Sequence, residues 1–410
     1  MHDGSPIASS RYAWLVVLLL VPVALLNYMD RQMMAAMKFS IMQEIPSVAS
    51  EEHWGTLLAM FKWVYALFSP LGGYIADRFS RSRVIVASLA IWSALTWATG
   101  HAASYEQLLI ARAVMGISEA CYIPAALALI ADFHLGPTRS RAVGLHQVGI
   151  YTGIIVGGFS GYAADSPYVG WRMAFGLAGT VGVLYALPLA ALLRDAPKVA
   201  PSAKTGGGAG SLSLALNGSF LLLVLYFTLP AMAGWVIKDW MPAVLKTQFD
   251  IDQGLAGVSA TLYVNVAGLA GLLLGGVMAD YAMRFSRRGR IYVSALGTTL
   301  LIPALFGMGH APTLAAAVAF LALFGIGWGL FDCNNMPILC QIVPPQMRAT
   351  AYGVMNLVSI SCGGFADRKF GALRDRQVPI DAIFGLFAAA IAVSVILVLL
   401  IRPRKELVVS

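Results

Sequence analysis

Charge is scarce in this sequence. Charged side chains are only 12% of its 410 residues while 59% are hydrophobic, whereas soluble domains carry about 25% charged residues. An ordinary soluble protein is excluded. Cysteine is scarcer still: Cys121, Cys333, Cys340 and Cys362 all fall in apolar stretches, with no CxxC or Cys/His spacing, which argues against a metal centre and for small buried hydrophobes. There is no G-x-S-x-G, no Walker loop and no HExxH, so an enzyme, an ATP-driven pump or a bound cofactor is not expected. The net charge of +8 does not imply nucleic acid, because the Lys and Arg residues sit in short breaks between apolar runs, where they report membrane orientation.

What is present is a succession of apolar runs long enough to cross about 30 Å of hydrocarbon, which takes about 20 helical residues each. Continuous runs such as "LLLVLYF" and "VSVILVLLI" are not the alternating ten-residue segments of a barrel. Cuts at charged and Gly/Pro-rich breaks predict spans near 14–36, 54–76, 84–100, 105–131, 142–163, 172–193, 216–237, 256–279, 291–309, 313–339, 349–372 and 380–401. The first run is read as a retained helix, since no small-residue cleavage site follows it. "RDAPKVAPSAKTGGGAGS" reads as a linker. The expected organisation is an N-terminal bundle at 1–194, a linker at 195–212 and a C-terminal bundle at 213–410. Arg and Lys crowd the even loops and both termini, which the positive-inside rule places in the cytoplasm.

The halves echo each other. "GGYIADRFSRSRV" at 72–84 returns as "GGVMADYAMRFSRRGRI" at 275–291, and "RSRAVG" at 139–144 as "RATAYG" at 348–353. A duplication in the same orientation implies two bundles related by an axis along the membrane normal, with a site between them.

Four ionisable residues have no loop to explain them: Asp30 and Arg31 in "LLNYMDR", and Arg112 and Glu119 in "RAVMGISEA". A lone charge at mid-membrane costs at least about 2.5–3.5 kcal/mol, so they must be paired or hydrated. Arg112 and Glu119, seven residues apart, share a helical face roughly 10 Å along the axis. The simplest arrangement pairs Asp30 with Arg112 and turns Arg31 toward a cavity. The alternative for Asp30 is a salt bridge that only locks two helices. A carboxyl at the position of Glu119, if poorly hydrated, can exchange a proton near neutral pH.

With these residues in hand, the chain resembles the major facilitator superfamily over essentially its whole length. Gly73, Asp77, Arg78, Arg81 and Arg83 match its loop motif G-x-L-a-D-R-x-G-R, with Ile75 for Leu and Ser80 for Gly. Within it, "LNYMDRQ" and "RAVMGISEA" are similar to the spinster-like lysolipid transporters and to the anion:cation symporters of sugar acids. The resemblance implies an all-α membrane protein, the major facilitator fold of twelve transmembrane helices in two pseudo-symmetric six-helix bundles. It implies proton coupling by Glu119 and Asp30, and an anionic substrate held by Arg31 and Arg112, whose guanidinium forks suit carboxylate or phosphate. It also gives a gating role to Gly73, Asp77, Arg78, Arg81 and Arg83.

Further cavity candidates are Tyr28, Lys62, His146, Tyr151, Asn335 and Asn356. Lys62 stands only about two turns from the outer surface, where it could snorkel. His146 could be a packing residue, and the neutral polar groups could be interhelical glue. The expectation is a monomeric proton-coupled carrier in a bacterial inner membrane, working by alternating access on a small organic anion or a lysolipid, with protons and the bilayer as its other partners. The alternative is a facilitative exchanger or an efflux carrier for amphipathic compounds without proton coupling.

Overall fold

The computed structural model describes residues 10–134, 138–196, 217–404 and 407, and among them every regular element is helical. In chain order these are α1 (Ser10–Ala36), α2 (Lys38–Glu44), α3 (Glu51–Arg78), α4 (Arg81–Thr99), α5 (Tyr105–Ala120), α6 (Tyr122–Phe133), α7 (Thr138–Asp165) and α8 (Gly170–Leu192). They continue with α9 (Gly218–Phe249), α10 (Gln253–Met283), α11 (Gly289–His310), α12 (Leu314–Ile342), α13 (Arg348–Asp375) and α14 (Ile380–Leu400).

Ten helical segments among the described residues are long and apolar enough to cross a membrane, α5 and α6 counting as one. The two others, α3 and α13, are 28 residues each, about 42 Å at 1.5 Å per residue, long enough to cross but less apolar along their length, with Lys62 inside α3 and Asp367, Arg368 and Lys369 inside α13. Twelve spans result. Large apolar side chains such as Leu67, Leu187, Val277 and Leu386 are exposed along them, as lipid-facing surfaces require. The seventh span departs from expectation. The apolar run predicts its end at 237, but α9 continues to Phe249, because a helix that keeps its backbone hydrogen bonds internal tolerates Lys238 and Asp239 within it.

Two compact units form, one of residues 1–49, 60–202 and 252–258, the other of 50–59, 203–251 and 259–410. They are called unit 1 and unit 2 below. Beyond Ala196 the expected linker lies outside the described residues.

In unit 1 the tightest helix contact is α1 on α7, made by glycines spaced four apart. A methyl group on Gly149, Gly153 or Gly157 would stand 2.6, 2.3 or 2.6 Å from the backbone carbonyl oxygen of Val21, Leu25 or Met29. Small residues let backbones meet where lipid supplies no hydrophobic drive between helices. In unit 2 the same device joins α11 to α12: a Cβ on Gly297 would lie 2.7 Å from the Gly327 carbonyl oxygen. A buried hydroxyl chain of Tyr226, Ser294 and Thr298 adds polar glue between α9 and α11.

Helix ends are held by side chains in both units. Ser80 Oγ caps α4 by accepting from Arg83 N, and Asn217 and Thr313 cap α9 and α12. Within unit 1, the Asp165 carboxylate accepts from Gly254 N at 2.9 Å, and within unit 2 that of Asp375 accepts from Glu51 N and Glu52 N at 2.9 Å. Each carboxylate satisfies amide groups that a helix start leaves unbonded.

Candidate functional site

The charged cluster of unit 1 is built where α1 faces α5. Arg31 Nε donates to Glu119 Oε2 at 2.8 Å, and its Nη2 lies 2.6 Å from the same oxygen. Glu119 is 0% exposed and its Oε1 has no hydrogen-bond partner. Arg112 Nη1 stands 3.9 Å from Asp30 Oδ2, beyond hydrogen-bond range, and contacts Met115 Sδ at 3.7 Å. The expected Asp30–Arg112 pair is therefore present but loose. Arg31, expected to face a cavity unpaired, is instead the tightly held member. Its guanidinium is also wrapped by aromatic rings, 4.8 Å from the centroid of Tyr28, 4.6 Å from Phe61 and 5.2 Å from Tyr65, and such faces attract a cation.

The fourth span is interrupted beside Glu119. α5 stops at Ala120, Cys121 forms a turn, and α6 resumes at Tyr122. Pro124 lacks the N–H that would bond the Ala120 carbonyl. That oxygen instead meets Gly72 of α3, where a methyl group would lie 2.3 Å from it. Gly73, the glycine the loop motif singles out, faces open space. The close approach belongs to Gly72.

Other candidates fall in different places. Lys62 is buried, at 3% exposed, so it does not snorkel to the surface. His146 is fully buried and its Nε2 pairs with Tyr122 OH at 2.9 Å, a packing contact. Tyr151 and Asn356 are half-buried on α7 and α13. Asn335 lies in unit 2, 2% exposed and beside the Asp332 carboxylate.

At the motif loop, Arg81 reaches Asp77 at 3.8 Å and also bonds Asp132 of α6. Arg78 and Arg83 are exposed. The Ser80 departure from the family glycine is explained by its capping of α4, and Asp195 accepts from Ser82 N at 2.8 Å. In unit 2, Asp280 pairs with Arg290 at 3.0 Å. The R-x-x-A-x-G arginines act alike in both units. Arg139 donates to the carbonyls of His134 and Ala131, and Arg348 to those of Val343 and Cys340, at 3.0–3.2 Å. A cation on the last carbonyls of a helix is well placed.

Sequence reasoning missed three groups. Asn27, one turn before Asp30, is 0% exposed with both amide atoms unpaired. Phe61 and Tyr65 were unmarked apolar positions. Lys238 and Asp332 of unit 2 were passed over, although a signal existed in the proline register. Asp30 follows Pro22 by eight residues as Lys238 follows Pro230, and Glu119 precedes Pro124 by five as Asp332 precedes Pro337.

Comparison with known proteins agrees with this architecture. The family described as Major Facilitator Superfamily matches residues 20–366. The chain is 28% identical over 373 residues to an MFS-type efflux pump of Mycolicibacterium smegmatis, covering 89% of this chain and 85% of that protein. It is 28% identical over 376 residues to Protein spinster homolog 1 of Mus musculus, covering 86% and 71%. Among solved structures, a bacterial homolog of the human lysosomal transporter Spinster, inward-facing and unoccupied, aligns with a TM-score of 0.75 at 21% identity, covering 97% and 96% of the two chains. A D-xylose-proton symporter aligns at 0.74 and 17%, covering 96% and 98%.

Proposed function

Because this chain belongs to the Major Facilitator Superfamily, we propose that it is a proton-coupled secondary active transporter for an organic solute bearing an anionic carboxylate or phosphate, of lysolipid or sugar-acid type. The observation that carries this reading is the buried Arg31–Glu119 pair at 2.6 Å. While Glu119 is ionised, the guanidinium is neutralised by it and an incoming anion is repelled. A proton on Glu119 discharges the pair and frees the fork of Arg31 for a carboxylate or phosphate. Conversely, an anion that captures Arg31 strands a buried carboxylate, and such an uncompensated charge is strongly unfavourable. Proton and anion therefore bind with mutual reinforcement, which is linkage between two sites. Tyr28, Phe61 and Tyr65 hold the guanidinium in place when its partner changes.

The carrier works by alternating access of the halves 1–194 and 213–410. It lies as a monomer in a bacterial inner membrane with both termini in the cytoplasm, where the arginine-rich loops also lie. Asp77, Arg78, Arg81 and Arg83 serve as a gate at that face.

The test is uptake into proteoliposomes with an imposed pH gradient, using gluconate and a lysophospholipid as alternative substrates. Glu119→Gln is expected to abolish accumulation against a gradient while sparing one-for-one exchange. Gradient-driven accumulation by that variant would sink the assignment. A second reading, export of amphipathic compounds, is favoured by the relative named as an efflux pump. It predicts extrusion from loaded vesicles instead of uptake.

A further inference from the structure

We propose that unit 2 carries a binding site for an anionic phospholipid, its phosphodiester headgroup held by Arg287 and Arg402 and its chains lying along α11 and α14. The duplication shows why positive charge is free there. The tetrapeptide RFSR occurs twice, at 78–81 and at 284–287. In unit 1 its last residue, Arg81, is held by Asp77 and by Asp132 of α6. Asp132 stands seven residues before Arg139, and seven before the matching Arg348 stands Gln341, so unit 2 has an amide where unit 1 has a carboxylate. The other acid, Asp280, stands seven residues before Arg287, where Asp77 is four before Arg81, and it pairs with Arg290 at 3.0 Å. Arg287 is left exposed, and among the described residues no carboxylate pairs with it, with Arg284 or with Arg402.

Contacts to the backbone bring these arginines together. Arg288 donates through Nη2 to the carbonyls of Leu399 and Ile401, so the loop that carries Arg284 and Arg287 is tied to the end of α14, next to Arg402. Arg404 N donates to the Gln341 carbonyl at 3.0 Å, and Gln341 Nε2 contacts Met283 Sδ at 3.7 Å, which fastens the same chain end to α12 and to the last turn of α10. Along the spans that lead up to the arginines the surface is apolar. Tyr292 and Leu296 of α11 are exposed four residues apart, and so are Ile396 and Leu400 of α14. Tyr292, whose ring centroid lies 5.7 Å from the Arg288 guanidinium, is the kind of amphipathic ring that sits at headgroup depth. Guanidinium forks above two apolar ladders match a phosphodiester above acyl chains. Orientation by positive charge is nearly indifferent to acidic residues, so it gives no account of the amide at 341.

This site is independent of the anion and proton reading of unit 1. The full-length protein, purified in a non-ionic detergent, is titrated with phosphatidylglycerol or with phosphatidylcholine of the same chains, and bound lipid is counted by native mass spectrometry. Phosphatidylglycerol is expected to bind in preference, and glycerol 3-phosphate is expected not to displace it. Arg287→Gln and Arg402→Gln should each weaken that binding about fivefold, the worth of one arginine near an anionic headgroup, and the double variant about twentyfold. Lysine at both positions keeps the charge and should retain the preference. Gln341→Asp keeps every arginine but restores the carboxylate that unit 1 has, and it should weaken binding about fivefold. Melting midpoints identify the folded variants, and if Gln341→Asp folds poorly the two exposed arginines decide. The proposal is overturned by equal binding of the two lipids, by unchanged affinity in the folded double variant or in folded Gln341→Asp, or by displacement with glycerol 3-phosphate, which would assign the arginines to a soluble phosphate.

Discussion

Arg112 and Asp30 face each other at 3.9 Å with both side chains almost fully buried, and the two are not equivalent in what their loss would do. An arginine cannot shed its proton inside a protein, whereas a carboxyl can gain one. Asp30→Asn therefore leaves a charge with no route to neutrality and is expected to cost about 3–5 kcal/mol. Arg112→Gln leaves a group that protonation can discharge, and it should lower the thermal unfolding midpoint in detergent less than Asp30→Asn does. The reverse order would mean that the pair does not hold this region together. Asp30, Arg31, Arg112 and Glu119 were legible as a cluster because charge is so rare in the spans. Their partners were not, since which base meets which acid depends on how far α1 is rotated against α5, and no spacing within one helix fixes that.

At the scale of elements, the glycine ladder of α7 makes a sharp contrast possible. Gly153→Val places side-chain atoms against the Leu25 carbonyl, only 2.3 Å from where a Cβ would stand. Overpacking of this kind costs about 1–3 kcal/mol or more, so the melting midpoint should fall and expression of folded protein with it. Gly144→Val, on the same helix, meets nothing within 4 Å and should behave as wild type. Equal effects at the two positions would contradict the α1–α7 packing. Most spans were legible to within a few residues because length and hydropathy alone define them. The seventh was not, as Lys238 looked like a boundary while its charge is met inside unit 2 by the Trp235 face.

For the whole molecule, orientation is the property that the distribution of basic residues fixes most directly. In a variant lacking the four native cysteines, a cysteine placed at Ser286, between α10 and α11, should react with a membrane-impermeant maleimide only after cells are permeabilised. One placed at Ser50, before α3, should react in intact cells. Labelling in the opposite pattern would invert the topology. The duplicated architecture was visible in the paired "GGYIADR" and "GGVMADY" stretches. The assignment of the first turns of α3 and α10 to the units opposite their halves was not, because it arises from contacts far apart in sequence such as Asp375 on Glu51 and Asp165 on Gly254.

One contact ties these scales together. The Ala120 carbonyl, pressed onto Gly72, belongs to the residue next to Glu119, and α3 carries the arginine-rich loop at its other side. A lean of that rod cannot leave the neighbouring acid's main chain where it was, so the lever between the wet end of the protein and its dry centre is a hinge of bare backbone with no charge in it.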